Sequence, residues 1–195
     1  VLDTQGSVAL TATGDMALRG AGSVAHVGGD LTVTTTGSIT QTAGLRVGGS
    51  SVFTASGEVT LDNTANDFVG AVSVQAASLN LNDANAVALG TLTLTGDLLL
   101  VAGGAVSDSA TLTVNGHTQI TATGQSVTLD SEGSDFKGTV SVRSASVSIA
   151  DANDLSLELD VSGAVGAQAD NLWLDSAADV NLGAVVVSHI LQVTS

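Results

Sequence analysis

Cysteine, proline and tyrosine are missing from the 195-residue chain, and aromatic residues make up only 2% of it. Without cysteine, the sequence carries no disulfide evidence for an oxidising or a reducing compartment. Without proline, every residue can donate its backbone N–H to a neighbouring strand, as the interior strands of a sheet require. The scarcity of aromatic residues argues against one large globular core, which large side chains usually fill.

Positive charge is equally scarce, since 4 basic residues stand against 19 acidic ones and the formal net charge is −15. A basic patch for nucleic acid or an anionic membrane cannot be assembled from Arg19, Arg46, Lys137 and Arg143. No stretch approaches the roughly 18 uninterrupted apolar residues of a membrane-spanning helix. The sequence therefore predicts neither nucleic-acid binding nor membrane insertion.

Small apolar residues are abundant. Apolar residues make up 44% of the chain and there are 23 glycines. Val, Leu and Thr alternate throughout, which argues against disorder, because disordered chains are poor in β-branched and aliphatic residues. A thin core of small side chains, repeated many times, fits this composition better than one thick core.

Internal repeats organise the sequence. Residues 61–85 realign on residues 129–153 at an offset of 68, with 13 identities in 25 columns. Upstream, residues 29–33 match residues 96–100 at an offset of 67. A third, degenerate copy becomes recognisable from Val180 onwards.

We interpret residues 1–195 as a single solenoid segment built from tandem copies. The copies span about 27–94 and 95–162, followed by a degenerate copy over 163–195. The sequence begins with Val1, in the middle of the pattern, so we expect it to be a fragment of a longer chain.

Short stretches in which apolar and polar residues alternate fill each copy. A period of two predicts strands with one buried face, and the intervening Gly, Asn, Asp and Ser groups predict turns. The apolar pairs are Leu31/Val33, Leu45/Val47, Val59/Leu61, Val72/Val74, Leu79/Leu81, Val87/Leu89, Leu92/Leu94 and Leu98/Leu100.

Two all-β folds accommodate many short strands, the antiparallel sandwich and the parallel β-solenoid. We expect homologous copies to stack on one another, Leu over Leu and Asn over Asn, which only parallel coils allow. The sequence therefore predicts a right-handed parallel β-helix of about nine turns, each with three strands and about 20 to 22 residues. At about 4.8 Å per turn, the rod would be about 45 Å long.

Carboxylates are the first candidates for chemistry, because some β-helices cleave glycans. A catalytic centre is a single place, whereas a turn-capping aspartate recurs with its turn, so we interpret the recurring carboxylates as caps. The recurring pairs are Asp30/Asp97, Asp62/Asp130, Asp67/Asp135 and Asp83/Asp151.

One acidic cluster, Asp151, Asp154, Glu158 and Asp160, partly departs from the repeat. Weak calcium binding is conceivable there, although the chain has no Asp-x-Asp-x-Asp-Gly loop. No other cofactor or metal site is predicted.

The three histidines, His26, His117 and His189, share no metal-ligand spacing, and we interpret them as surface substitutions. They also single out no Ser, His and Asp set for nucleophilic catalysis. We predict that the chain is not an enzyme.

Trp173 is a candidate for a surface contact. Leu172 and Leu174 flank it with the inward periodicity, so its ring should point outward. An exposed tryptophan can contact a sugar or a neighbouring chain, or it can fold along the solenoid surface. The sequence leaves both interpretations open.

Thr-x-Thr segments such as Thr32/Thr34 and Thr91/Thr93 place hydroxyl groups outward. A flat ladder of such pairs would suit ice binding, but the third copy has Ala184 in place of Thr91. Ordinary β-propensity explains the threonines.

Three segments resemble the repeats of filamentous-haemagglutinin-like exoproteins: GGDLTVTTTGSITQ (28–41), LDNTANDFVGAVSV (61–74) and NDANAVALG (82–90). These are giant bacterial surface proteins, many exported by two-partner secretion, whose repeat regions are right-handed β-helices. The resemblance implies a structural and adhesive segment of a cell-surface or secreted fibre, located outside the cell or on its outer surface. Its partners would be a host-cell or matrix surface, or other copies bound end to end.

A competing hypothesis is a glycan-binding or polysaccharide-cleaving β-helix. In that case Trp173 and the carboxylates of Asp151, Asp154 and Glu158 would line a common groove.

Overall fold

The computed structural model describes residues 2–20, 22–176 and 181–194, so Val1 and Val180 lie outside the described residues. Every regular element in these ranges is a β-strand, and every pairing between strands is parallel. No described helix is long and apolar enough to cross a membrane. The predicted parallel β-solenoid of about nine turns is confirmed.

The described strands are β1 (Asp3–Thr4), β2 (Val8–Ala12), β3 (Met16–Leu18), β4 (Val24–Val27), β5 (Leu31–Thr35), β6 (Ile39–Gln41), β7 (Gly44–Val47), β8 (Ser51–Ala55), β9 (Val59–Leu61), β10 (Asp67–Phe68), β11 (Val72–Ala76), β12 (Leu79–Asp83), β13 (Val87–Leu94), β14 (Leu98–Ala102), β15 (Val106–Asp108), β16 (Leu112–Val114), β17 (Thr118–Leu129), β18 (Asp135–Phe136), β19 (Val140–Ala150), β20 (Leu155–Val161), β21 (Ala164–Ser176) and β22 (Asn181–Thr194).

The strands stack in three columns along the rod. Each turn of the chain visits all three as far as β18, after which no described strand lies in column 2. Column 1 contains β1, β4, β7 and β10. It resumes with the first part of β13, β15, the second parts of β17 and β19, and the first parts of β21 and β22. Column 2 contains β2, β5, β8, β11, the second part of β13, β16 and β18. Column 3 contains β3, β6, β9, β12 and β14, then the first parts of β17 and β19, β20, and the second parts of β21 and β22.

The core is a set of apolar rows that run from turn to turn. In column 2 the register places Val33, Phe53, Val74 and Leu92 one above another, and each is at most 3% exposed. Because neighbouring strands lie about 4.8 Å apart, each side chain packs directly on the corresponding one of the next turn. The apolar pairs predicted from the period-two pattern are buried throughout.

Turn length varies more than the predicted 20 to 22 residues. In column 3, Met16 pairs with Ile39, 23 positions further on, whereas Val140 pairs with Leu157, only 17 positions further on. The short turns follow β18, where the described strands leave column 2 empty and the chain passes from column 1 directly to column 3.

Glycine allows the corner between columns 1 and 2 to close tightly. A Cβ atom on Gly48 would lie 2.5 Å from the carbonyl oxygen of Gly28, one turn below. The backbone N–H of Gly48 donates to the carbonyl of Val27 at 2.9 Å, which holds the two turns at this distance. A side chain at position 48 would push the turns apart.

Residues one repeat apart do not stack on each other. Phe68, in β10, pairs with Val47 in column 1, whereas its repeat equivalent Phe136, in β18, pairs with Val114 in column 2. An offset of 68 residues therefore equals three full turns plus one further strand. The expectation that equivalent residues of successive copies stack on each other was wrong, because the repeat is not a whole number of turns. Apolar residues do stack on apolar residues, but these come from successive turns.

Strand β22 has an open edge, since no described strand pairs with its far side. Leu182, Leu191 and Val193 continue the core rows of the preceding strand, yet they are 38%, 48% and 43% exposed. This edge therefore exposes apolar side chains that the preceding turns bury.

Candidate functional site

The two repeat-equivalent aspartates Asp83 and Asp151 hold buried carboxylates, 1% and 6% exposed. In Asp83, Oδ2 accepts a hydrogen bond from the backbone N–H of Phe68 and Oδ1 accepts one from Asn85, both at 2.7 Å. The same two bonds, with the same lengths, surround Asp151. Both side chains cap turns, as their recurrence predicted.

Burial raises the pKa of both carboxyl groups above the ordinary value of 3.8. Loss of hydration is the largest cause, because it disfavours the ionised form. The two backbone N–H donors lower the pKa and oppose this effect, and a neighbouring carboxylate, Asp67 or Asp135, raises the pKa further. Each site therefore takes up a proton more readily than an exposed aspartate.

We expect these two carboxyl groups to make the folded chain more stable as the pH falls from neutral. Their pKa in the folded state lies above the unfolded value. Between these two pKa values the folded state therefore binds protons more readily than the unfolded state. The stabilisation is fully present below the unfolded pKa and is lost as the pH rises through the folded pKa. Urea unfolding at a series of pH values between about 4 and 8 measures it.

The matched control is the double variant Asp83→Asn/Asp151→Asn, in which neither site titrates. All other acidic groups are shared with the natural chain, so their contribution cancels in the difference. The free energy of unfolding of the natural chain, relative to that of the variant, should grow as the pH falls. A difference that stays constant over the series would contradict the raised pKa values.

The other recurring aspartates differ in their contacts. Asp30 and Asp97 cap the corner of the following turn, since each Oδ1 accepts a backbone N–H at 2.8 Å. Asp67 and Asp135 instead form ion pairs with basic neighbours at 3.4 and 3.8 Å, so the prediction of capping was wrong for them. The described hydrogen bonds include none to the carboxylates of Asp62 and Asp130, which contradicts capping there too.

A buried asparagine holds the corner before β10, and the sequence reasoning missed it. Asn66 is fully buried, and its Oδ1 accepts the backbone N–H of Leu45 at 2.8 Å. Its repeat equivalent, Ser134, accepts the N–H of Leu112 through Oγ at 3.2 Å. The signal was a polar residue directly before the recurring Asp-Phe pair.

The acidic stretch 151–160 does not form a single site. Asp154 accepts a hydrogen bond from Asn171 at 2.6 Å, and Glu158 accepts one from Ser141 at 2.9 Å. Asp160 pairs with the guanidinium of an arginine at 3.0 Å. Within the described ranges no group of three or more His, Cys, Asp or Glu residues is placed to hold a metal ion, so the conceivable calcium site has no structural support.

The three histidines lie apart from one another. His26 is half-buried in β4, with Nδ1 3.3 Å from the carbonyl oxygen of Thr4. His117 lies at the corner before β17 and His189 lies in β22, and both are exposed. The structure brings none of them to a common site.

Threonine hydroxyls form a single file on the outer face of column 2. Thr34 pairs with Thr54, but the second outward position pairs Thr32 with Val52. The flat double file of threonines that ice binding would need is therefore interrupted within the first copy.

The outer face of column 3 carries a groove, formed by the outward side chains of the first part of β17, the first part of β19, β20 and β21. We call it the column 3 groove. Its main part has a volume of about 480 Å³, and a smaller adjoining part of about 180 Å³ reaches β22. Glu158 and Asp175 line both parts. The register places Gln119, Ser141, Glu158, Asp175 and Thr194 on successive strands along it.

Trp173 lines the smaller part of the groove and is 37% exposed, so its ring points outward as predicted. Its register partners are Ser156 on one side and Gln192 on the other. The competing hypothesis grouped Trp173 with three carboxylates, of which only Glu158 lines the groove. Asp151 and Asp154 were wrongly included, because one is buried in a turn cap and the other lies outside the groove lining.

The groove is acidic. Glu158, Asp160 and Asp175 lie along it, and Arg143 is the basic side chain in its lining. Glu158 and Asp175 are register partners on adjacent strands, and like charges in such positions repel each other. A ligand in this groove must tolerate a negative potential.

A parallel β-solenoid built from tandem repeats is the class that this fold defines. Two successive stretches, residues 5–75 and 76–143, match a family described as repeats of unknown function (DUF5649). These matches cover most of the chain, and the chain belongs to this family. Neither the curated proteins nor the solved structures compared with the chain contain a significant match.

Proposed function

We propose that this chain is a structural and adhesive segment of a bacterial fibrous exoprotein of the filamentous-haemagglutinin-like type, on the cell surface or secreted. It would act as an extended spacer and an interaction surface. The observation that supports the proposal best is the parallel stacking of about nine turns. The proposal includes no catalytic step, and release of unsaturated products from an acidic polysaccharide would contradict it.

The geometry suits a spacer. At about 4.8 Å per turn, one repeat of three and a third turns lengthens the rod by about 16 Å. Each turn contacts only its neighbours, so added repeats lengthen the rod without requiring a new core. The reach of such a fibre is then set by the number of repeats.

The recurring polar residues support the same role. The carboxylates of Asp83 and Asp151 are occupied by backbone N–H groups, as are those of Asp30 and Asp97. Groups that recur with the turns and bind backbone stabilise corners, which a long solenoid needs at regular intervals.

End-to-end association is a variant of this proposal. The open edge of β22 combines exposed Leu182, Leu191 and Val193 with unpaired backbone groups, and such an edge readily pairs with another strand. A further coil or another copy of the chain would cover it.

Antibodies against this segment test its location and its role together. We expect immunogold labelling on intact cells of the bacterium that produces this protein, and we expect the antibody to reduce adhesion to host cells or matrix. A matched antibody against an intracellular protein of that bacterium is the control. Labelling only after permeabilisation would overturn the proposal.

A further inference from the structure

Trp173 is an exposed aromatic residue in a chain with one tryptophan, three phenylalanines and no tyrosine. It does not recur with the repeat, because the chain has no second tryptophan and the residue 68 positions earlier is Ala105. The caps at Asp83 and Asp151 recur in two copies, whereas the tryptophan is found once. A function specific to this part of the solenoid is the simplest reason for it.

The column 3 groove runs along the rod axis. It crosses β17, β19, β20, β21 and β22, whose spacing of about 4.8 Å gives it a length of about 19 Å. This spacing is close to the length of one pyranose unit, so successive strands can meet successive units of an extended sugar chain.

The lining matches the surface of a sugar. An indole ring packs against the apolar face of a pyranose, and Glu158, Asp175 and Gln192 offer acceptors and a donor for hydroxyl groups. Glu158 already accepts a hydrogen bond from Ser141, but no described side chain donates to Asp175. Asp175 therefore keeps its full acceptor capacity beside the ring.

The charge of the groove selects among polysaccharides. Three carboxylates face one guanidinium, and Arg143 is already paired with Asp160 at 3.0 Å. An acidic polysaccharide would bring further negative charge into this groove and against a chain of net charge −15. An uncharged sugar chain avoids this repulsion.

We infer that the column 3 groove binds an extended, uncharged polysaccharide, with Trp173 as the stacking platform and Glu158 and Asp175 as hydrogen-bond acceptors. The inference rests on the proposed adhesive function and names the ligand class of its interaction surface.

Intrinsic fluorescence tests the inference directly, because emission from Trp173 reports this groove alone. The probes are hexasaccharides of β-1,4-linked glucose, N-acetylglucosamine, xylose and mannose, with hexagalacturonate as the acidic comparison. We expect a saturable shift in emission with at least one neutral hexasaccharide and none with hexagalacturonate. No shift with any neutral probe, or equal binding of the acidic probe, would overturn the inference.

Calorimetry on variants assigns the binding to the groove. Trp173→Ala should lower the affinity at least about tenfold, and Glu158→Gln/Asp175→Asn should lower it about threefold or more. Val52→Ala is the matched control, since Val52 is 40% exposed on the outer face of column 2, away from the groove. All variants should keep the circular dichroism of the natural chain, because these residues point outward. Unchanged affinity in Trp173→Ala would refute the assignment.

The two proposals can fail separately. Loss of sugar binding in this experiment leaves surface labelling of intact cells untouched, and then only the ligand class is wrong. Sugar binding without surface labelling would refute the location and leave the groove assignment standing.

Discussion

Val74→Asp should unfold the solenoid cooperatively. Val74 is 3% exposed and is stacked between Phe53 and Leu92 in the core of column 2. An ionised carboxylate there would have neither water nor a partner, which costs several kcal/mol or more. A loss of that size is comparable with the whole stability of a typical domain, about 5 to 15 kcal/mol. Thermal and urea unfolding followed by circular dichroism measures it.

The control is Gln75→Asp, on the same strand but facing solvent. It introduces the same charge one position away, so it tests the direction of the side chain and not the charge. We expect a change of no more than about 0.5 kcal/mol. Equal losses at positions 74 and 75 would contradict the assignment of the buried face.

Asp83→Ala should destabilise the chain by about 2 kcal/mol. It leaves the backbone N–H groups of Phe68 and Asn85 without their acceptor, and each buried donor without a partner costs about 1 to 3 kcal/mol. Removing the unfavourable burial of the carboxylate, the same burial that raises its pKa, offsets part of that cost. Urea unfolding at neutral pH measures the net change.

Asp151→Ala, the same substitution in the other copy, should give a similar loss, and the double variant should lose the sum of the two. Asp30→Ala is the control, because this exposed residue makes only one such bond, to Ser50. It should cost less than about 1 kcal/mol. Equal losses at positions 30 and 83 would show that the buried cap has no special importance.

The strands and their parallel stacking could be predicted from the sequence, for a physical reason. Pairs such as Leu31/Val33 repeat with a period of two, and a thin solenoid leaves each strand only one buried face. The absence of proline and the scarcity of aromatic residues argued against most alternatives. Local pattern and global fold therefore pointed to the same answer.

The column that each strand occupies could not be predicted, because it depends on the sum of all preceding turn lengths. Turns of 17 to 23 residues look alike in sequence, so Phe136 could not be assigned to column 2 in advance. The column 3 groove could not be predicted for the same reason, because its position depends on which strands share a column. The flanking leucines predicted that Trp173 points outward, but its proximity to Glu158 and Asp175 follows from the register alone.

Burial of individual polar groups was only partly predictable. Recurrence identified Asp83 and Asp151 as caps, yet the same criterion failed for Asp67 and Asp135, which bind basic side chains instead. Recurrence shows that a residue belongs to the scaffold. It does not show which atom its side chain contacts.

The mismatch between repeat and turn gives a longer array of these repeats a screw symmetry. Each copy is rotated by one column, about 120°, relative to the copy before it, so three copies and ten turns complete one period of about 48 Å. A receptor that lies along one side of such a fibre would meet three different surfaces before the first returns. Three receptors around the fibre could each bind the same surface at successive heights, which allows many contacts without crowding.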